Sequence, residues 1–271
     1  MGRIEEAIRK AQANHQRNIG RSAIDESHKQ RDPAWRANEH SREPAAPQIR
    51  ASHIVYVDNE QLREHRVIAA SDHDERVGPY RQLRTQLLKT MRDNQWTTLA
   101  ITSANEGAGK TLTAANLAIA LAKDISTTVL LVDLDLRTPT IHEILNLSPE
   151  KGLGDFLEGQ AELEEILFNP GLDRLIVLAG RSSGKYSSEL LASPKMQDLM
   201  RDLCHQGEAN ITIFDLPPVL RNDDAILFAP YADATLVVVE DGVTTEDQLQ
   251  QSMQLLDKAN VIGTILNKAR V

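Results

Sequence analysis

Five side chains carry chemistry that their order along the chain makes specific: Lys110, Thr111, Asp133, Asp135 and Asp215. Lys110 and Thr111 close the stretch Ile101-Thr-Ser-Ala-Asn-Glu-Gly-Ala-Gly-Lys-Thr111, an apolar run that passes into a glycine-rich loop. Glycines in such a loop let backbone N–H groups crowd a polyphosphate, a lysine then reaches the β- and γ-phosphates, and a Ser/Thr hydroxyl ligates Mg²⁺. Glu106, Gly107, Ala108, Gly109, Lys110, Thr111 and Leu112 are therefore the candidate phosphate cradle. The Ala/Leu-rich stretch that follows, to Lys123, reads as a helix whose positive N-terminal end faces the same anion. Asp133 and Asp135 end the next apolar run, Val129-Leu-Leu-Val-Asp-Leu-Asp-Leu-Arg137, and two-residue spacing on a strand would put both carboxylates on one face. Adjacent carboxylates repel unless a cation lies between them, so the pair predicts a lysine or a metal ion nearby. Asp215 ends a third buried run, Ile211-Thr-Ile-Phe-Asp-Leu-Pro-Pro218, where the prolines forbid continuation of the strand. Thr111, Asp133 and Asp215 are the candidate magnesium ligands. The loop departs from the full phosphate-binding pattern at Ala104, where a glycine is usual.

These residues need a scaffold that brings three strand ends together. From Trp96 onward the sequence alternates strand and helix signals, with strands near 97–103, 128–133, 173–178, 210–215, 234–239 and 261–266. Such alternation predicts right-handed crossovers and a mainly parallel sheet flanked by helices, an α/β fold. Ligands bind such sheets at the carboxyl ends of the strands, where Lys110, Asp133 and Asp215 all fall. Upstream, residues 2–17 carry a thin apolar stripe at helical spacing, residues 18–50 are polar with scattered prolines and read as a flexible linker, order resumes near His53–Val57, and a helix is predicted from Pro79 to Met91. The resulting division is 1–50, helix plus linker; 51–95, strand and interaction helix; 96–271, the phosphate-loop domain.

Composition narrows the classes. Hydrophobic residues make up 41% of 271 residues but aromatics only 4%, so the core must be aliphatic, as suits a helix-covered sheet. One cysteine, Cys204, allows no internal disulfide and reads as a structural thiol on an amphipathic helix. No apolar run is long enough to span a bilayer and the first residues lack a signal-peptide core, which predicts a cytoplasmic protein. The net charge of −9 belongs entirely to residues 81–271, since the first 80 balance; nucleic acid is not an expected partner of so acidic a body. Six of the eight histidines precede residue 80 without metal-ligand spacing.

Three motifs together, Ser103-Ala-Asn-Glu-Gly-Ala-Gly-Lys-Thr111, Leu130-Leu-Val-Asp-Leu-Asp-Leu-Arg137 and Phe214-Asp-Leu-Pro-Pro218, resemble the bacterial tyrosine kinases, which belong to the MinD/ParA-like branch of phosphate-loop NTPases. Gly152-Leu-Gly-Asp-Phe-Leu157, Ser188-Glu-Leu-Leu-Ala-Ser193, Asp223-Asp-Ala225 and Ile262-Gly-Thr-Ile-Leu-Asn-Lys268 extend the likeness over roughly residues 75–271, and the first twelve residues are similar to the exopolysaccharide-locus subset. The resemblance implies an ATP- and Mg²⁺-dependent protein-tyrosine kinase in exopolysaccharide biosynthesis, activated by a membrane-bound polysaccharide chain-length regulator and recruited to the inner face of the membrane. It implies that Lys110 and Thr111 hold the phosphates and Mg²⁺, that Asp133 positions the metal and helps deprotonate the acceptor phenol, that Asp135 and Asp215 complete the metal environment, and that Asn267 and Lys268 contact the adenine end. It also implies a homo-oligomer packed through Arg81 and Arg84.

Two departures qualify that expectation. The glutamate that precedes the two arginines in the family's assembly helix is replaced by Gly78, and no tyrosine cluster follows Lys268-Ala-Arg-Val271. Tyr56, Tyr80, Tyr186 and Tyr231 are scattered, so phosphorylation of a C-terminal tail is not expected. Two other readings stay open: a MinD/ParA-like ATPase, against which Asn105 and Glu106 stand where those ATPases carry a lysine, and a nucleotide-binding regulatory subunit without kinase activity.

Overall fold

The computed structural model describes residues 53–71, 74–181, 186–205 and 210–269. The predicted helix 2–17 and linker 18–50 lie outside the described residues, as does the side chain of Cys204. Eight strands form one sheet: β1 (His53–Ile54), β2 (Thr98–Ser103), β3 (Val129–Asp133), β4 (Leu167–Asn169), β5 (Leu175–Leu178), β6 (Ile211–Asp215), β7 (Ala234–Glu240) and β8 (Val261–Asn267), in the order β1-β4-β5-β3-β6-β2-β7-β8. All neighbours are parallel except β4 and β5. The six expected strands are present, and the fold is the mainly parallel α/β arrangement expected from the alternation.

The central strands β2, β3 and β6 are buried at every residue. Helices cover both faces, which is why these segments read as continuous apolar runs rather than alternating ones. One core layer gathers Leu130, Val132, Phe214 and Val237 with the helix Pro194–His205; the other gathers Leu99, Ile101, Leu131 and Ile213 with the helix Lys110–Ala122. That second helix is buried from Thr113 to Ala122, so it is apolar all round rather than amphipathic. A 17-residue helix, Gly78–Asn94, begins with Pro79 in its first turn, packs on it, and ends where Gln95 turns left-handed at φ 58°.

The segment before that helix is clamped to the phosphate-loop helix by one residue. Asn116 is fully buried, and its Oδ1 accepts from the backbone N–H groups of Ile68 and Ala69 at 2.8 and 2.9 Å. Its amide donates to Arg66 O at 3.2 Å and Leu112 O at 2.9 Å, so every polar atom of the side chain is used.

Two expectations are corrected. Strand β4 has no counterpart among the predicted strands: its three residues are followed by Pro170 and Gly171 and it pairs antiparallel to β5, against the βαβ pattern. The aspartate pair is not a two-residue strand period. Strand β3 stops at Asp133, and Asp135 lies in the following loop, where its backbone N–H donates to Asp133 Oδ1 at 3.2 Å. What turns the chain is Asp133 itself, whose Oδ2 also accepts from the Thr140 and Ile141 N–H groups at 3.0 Å each.

Candidate functional site

The site lies where β2, β3 and β6 end. Asp133 and Asp215 are register partners on adjacent parallel strands, and β2 runs on into the glycine-rich loop. Gly107 and Gly109 take left-handed φ values of 77° and 90°, a conformation in which side chains strain. A Cβ on Gly107 would meet nothing within 4 Å, which leaves the loop's outer side open to a ligand, whereas one on Gly109 would come within 2.2 Å of Asn267 Nδ2. Ala104 is buried and outside the left-handed region, so the position needs no glycine here; its carbonyl accepts from Leu220 N at 3.2 Å, while Ser103 O accepts from Val219 N at 2.8 Å. The chain after Asp215 thus backs the root of the loop. Glu106, at its exposed tip, pairs with Arg221 from that same segment.

The helix begins at Lys110, and the N–H groups of its first turn, which includes Thr111 and Leu112, have no carbonyl partner within the helix. Lys110 Nζ lies 2.9 Å from Asp135 Oδ2, 3.7 Å from Asp215 Oδ2 and 3.2 Å from Thr111 Oγ1. Thr111 Oγ1 donates to Asp215 Oδ2 at 2.6 Å. These four side chains form one cluster, in which the lysine lies between Asp135 and Asp215 rather than between the Asp133 and Asp135 carboxylates, where the sequence predicts a cation. Burial works against the Lys110 ammonium, but Asp215 and Asp135 outweigh it and hold it above the ordinary lysine value.

Burial, reinforced by the Asp215 carboxylate, pushes the Asp133 carboxyl up to about 8. Burial also raises Asp215, against the pull of Lys110 and the Thr111 hydroxyl. Both aspartates are fully buried, yet they differ in what they hold. Asp133 spends both oxygens on backbone N–H groups, whereas Asp215 Oδ1 is buried with no hydrogen-bond partner. A buried oxygen without a partner costs about 1–3 kcal/mol, so it marks a place where a ligand belongs.

That orphan oxygen, the Thr111 hydroxyl and the open glycine cradle fit a magnesium–nucleotide complex. Among the described residues no three His, Cys, Asp or Glu side chains are grouped to cage a metal by themselves. Magnesium suits this arrangement, since it keeps several waters and takes few protein ligands beside substrate phosphates.

Several residues of this site were not singled out from sequence. Thr138 binds Asp135 Oδ1 through its N–H and hydroxyl at 3.1 and 3.0 Å, and the Thr140 hydroxyl lies 3.3 Å from Thr111 Oγ1. Threonines flanking Pro139 directly after an aspartate pair are the turn chemistry that signals such a loop. Gly180, two residues past β5, leaves just enough room for Asp133, since a Cβ there would lie 2.9 Å from Asp133 Cγ. A glycine closing an apolar strand was the available signal. Asn267 is placed at the cradle, donating to Ala108 O at 2.8 Å, while Lys268 pairs with Glu240 at 2.9 Å. Arg81 and Arg84 are carried by the Gly78–Asn94 helix, and Arg84 reaches the Ala120 carbonyl at 3.4 Å.

Comparison with known proteins is consistent with this geometry. Residues 99–271 match the family described as the CobQ/CobB/MinD/ParA nucleotide binding domain. The chain is 34% identical over 190 residues to the tyrosine-protein kinase YwqD of Bacillus subtilis (strain 168), a match covering 69% of this chain and 79% of that one. It is 33% identical over 198 residues to the tyrosine-protein kinase etk of Escherichia coli (strain K12), covering 72% of this chain but 27% of the longer relative. The solved kinase domain of E. coli ETK superposes with a TM-score of 0.68 at 28% identity, over 79% of this chain and 88% of that domain. The septum site-determining protein MinD from Pyrococcus horikoshii OT3, complexed with Mg-ADP, shares the fold at a TM-score of 0.53 and 24% identity, over 63% of this chain and 69% of its own.

Proposed function

The chain belongs to the bacterial tyrosine kinases, within the CobQ/CobB/MinD/ParA nucleotide-binding family, and from that premise we propose that it transfers the γ-phosphoryl group of ATP to protein tyrosines as a Mg²⁺-dependent kinase. The observation that carries the reading is the four-residue cluster of Lys110, Thr111, Asp135 and Asp215 beneath an open glycine cradle. Magnesium bound with the nucleotide would supply charge neutralisation at the transferring phosphoryl group.

The chain's own residues do the rest. Backbone N–H groups from Glu106 to Leu112 cradle the phosphates, and Lys110 exchanges its carboxylate partners for phosphate oxygens. Thr111 and Asp215 present a hydroxyl and an unpaired carboxylate oxygen to the metal. Asp133 fixes the loop that carries Asp135 and Thr140 through the Asp135, Thr140 and Ile141 N–H groups, and is the carboxylate proposed to help deprotonate the acceptor phenol. A tyrosine phenol, ordinarily near pKa 10, needs such a neighbour to be activated. Asn267 and Lys268, adjoining the loop from β8, would face the adenine end.

The reading extends to context. Similarity of the first twelve residues to the exopolysaccharide-locus subset supports a role in exopolysaccharide biosynthesis, with a membrane-bound chain-length regulator as activator. No described helix is long and apolar enough to cross a membrane, so membrane association would come through such a partner. Arg81 and Arg84 are the proposed contacts of a homo-oligomer. The test is incubation with Mg-ATP and a random glutamate–tyrosine copolymer: the wild-type chain should form phosphotyrosine, and Lys110→Met should reduce it at least a hundredfold. Phosphotyrosine undiminished in that variant would rule out this site.

A further inference from the structure

Two sequence motifs that the phosphate cluster does not use, Ser188-Glu-Leu-Leu-Ala-Ser193 and Asp223-Asp-Ala225, meet on one carboxylate. Asp224 opens the short helix Asp224–Phe228, downstream of Asp215, and is fully buried. A buried charge is costly unless it is paired and hydrogen-bonded, and both oxygens of Asp224 are occupied. Its Oδ2 accepts from Arg137 Nε at 3.1 Å and from Ser187 Oγ at 2.8 Å, while Oδ1 lies 2.6 Å from Ser188 Oγ. Ser187 and Ser188 begin the helix Ser187–Leu191, so three separate stretches of chain converge on this side chain. Asp224 cannot follow one of them without breaking with the others.

Arg137 stands two residues past Asp135, on the loop that leaves β3. Asp133 holds both ends of that loop through the Asp135, Thr140 and Ile141 N–H groups, and Thr138 binds Asp135 Oδ1. The middle of the loop is tethered by the Arg137 side chain. The tether joins the loop that carries Asp135 to the segment that follows Asp215, and these are the two carboxylates facing Lys110, at 2.9 and 3.7 Å. A buried ion pair adds little net stability over apolar packing of the same volume, so what this one supplies is geometry. That geometry matters once nucleotide enters. With Lys110 turned to the phosphates, Asp135 loses its cation, and Asp133, Thr138 and the Arg137 tether are left to keep its loop in place.

We propose that Asp224 is a positioning residue for phosphoryl transfer, holding the Asp135 loop against the Asp215 segment through Arg137. The inference rests on the kinase reading above and deepens it. Buried as it is, Asp224 touches neither nucleotide nor acceptor, so its loss acts on turnover and leaves nucleotide binding alone.

The test measures copolymer phosphorylation, fluorescent ADP binding and thermal unfolding on the full chain. Asp224→Ala should lower kcat about tenfold, the loss expected of a displacement of about half an ångström, with ADP affinity within about twofold of wild type. Arg137→Lys keeps a cation beside the buried carboxylate, and with it the fold, but replaces a planar fork by a point charge; kcat should fall at least about threefold. The double variant Arg137→Ala/Asp224→Ala should be no more than about twofold slower than Asp224→Ala, because the two side chains act together. Asp223→Ala removes a Ser188 partner at 2.9 Å while Asp224 stays in place, and its kcat should remain within about twofold of wild type. Wild-type kcat in Arg137→Lys, or in a folded Asp224→Ala, would overturn this inference and leave the kinase reading standing. ADP affinity that falls in step with kcat would do the same, as would a double variant about tenfold slower than Asp224→Ala. No phosphotyrosine from the wild-type chain would overturn both.

Discussion

Gly180→Ala tests whether the placement of Asp133, rather than the mere presence of the carboxylate, governs turnover. The added Cβ would stand 2.8 Å from Pro139 Cβ, 2.9 Å from Asp133 Cγ and 3.0 Å from Asp133 Cβ, where ordinary contacts begin at 3.4 Å. Relief requires about 0.5 Å of movement, given carbon–carbon optima of about 3.5–4.0 Å. Asp133 is the softer neighbour, but its carboxylate holds the Thr140, Ile141 and Asp135 N–H groups at 3.0, 3.0 and 3.2 Å, so moving it drags the loop that carries Asp135. Overpacking of this kind costs about 1–3 kcal/mol in stability. A misplacement of about 1 Å in a catalytic array can cost about a hundredfold in rate, so half of that corresponds to about tenfold. The assay pairs steady-state kinetics on the copolymer with fluorescent ADP binding and thermal unfolding. We expect kcat to fall about tenfold, with ADP affinity within threefold because the glycine cradle is untouched. Gly263→Ala is the control: its Cβ would meet only Leu236 Cδ2, at 3.8 Å, and it should leave turnover unchanged. Wild-type kcat in Gly180→Ala, with the fold intact, would refute the claim that this glycine sets the aspartate's position.

Three further outcomes are expected. Asn116→Ala orphans two buried N–H groups at a cost of about 1–3 kcal/mol each, so Tm should drop by at least 4 °C, at about 2–4 °C per kcal/mol for a domain this size; a drop under 2 °C would mean the clamp contributes little. The nucleotide-free chain should lose stability as pH rises. Asp133 keeps its proton to about 8 when folded, against about 3.9 unfolded, so its contribution is full below about pH 4 and falls toward pH 8 by up to about 1.4 kcal/mol per unit. Asp133→Asn should flatten the Tm profile between pH 6 and 8 relative to wild type, and parallel profiles would count against the raised value. Replacing Arg81 and Arg84 by Ala should lower the oligomer mass seen by light scattering, with less than about 1 kcal/mol lost through Arg84's contact with Ala120 O; an unchanged mass would remove these residues from assembly.

Much of the molecule was legible in the sequence because its signals are local. Strands β2, β3 and β6 are uninterrupted apolar runs, and a run buried on both faces needs no partner information to be recognised. The order of Lys110, Asp133 and Asp215 fixed their strand ends, and the parallel topology put those ends together. What escaped depends on contacts distant in sequence. Strand β4 has only three residues and exists by pairing with β1 and β5. Asn116 looks like an ordinary polar position on a helix until Ile68 and Ala69 are placed against it, 48 and 47 residues away. Spacing alone puts Asp135 on the strand, because it does not report that Asp133 turns the chain. The roles of Ser188 and Asp224 were visible only as motif letters, and their meaning, a tie between Arg137 and the helix that Tyr186 opens, required the fold.

The most direct test of the central claim is the fate of the γ-phosphoryl group. With labelled ATP and Mg²⁺, wild-type chain, Lys110→Met and the copolymer, the label should appear in phosphotyrosine in a Lys110-dependent manner and exceed the label released as free phosphate. Label found solely as free phosphate would mark the chain as an ATPase, and label in neither product, with nucleotide still bound, would mark it as a regulatory subunit; either result contradicts the account.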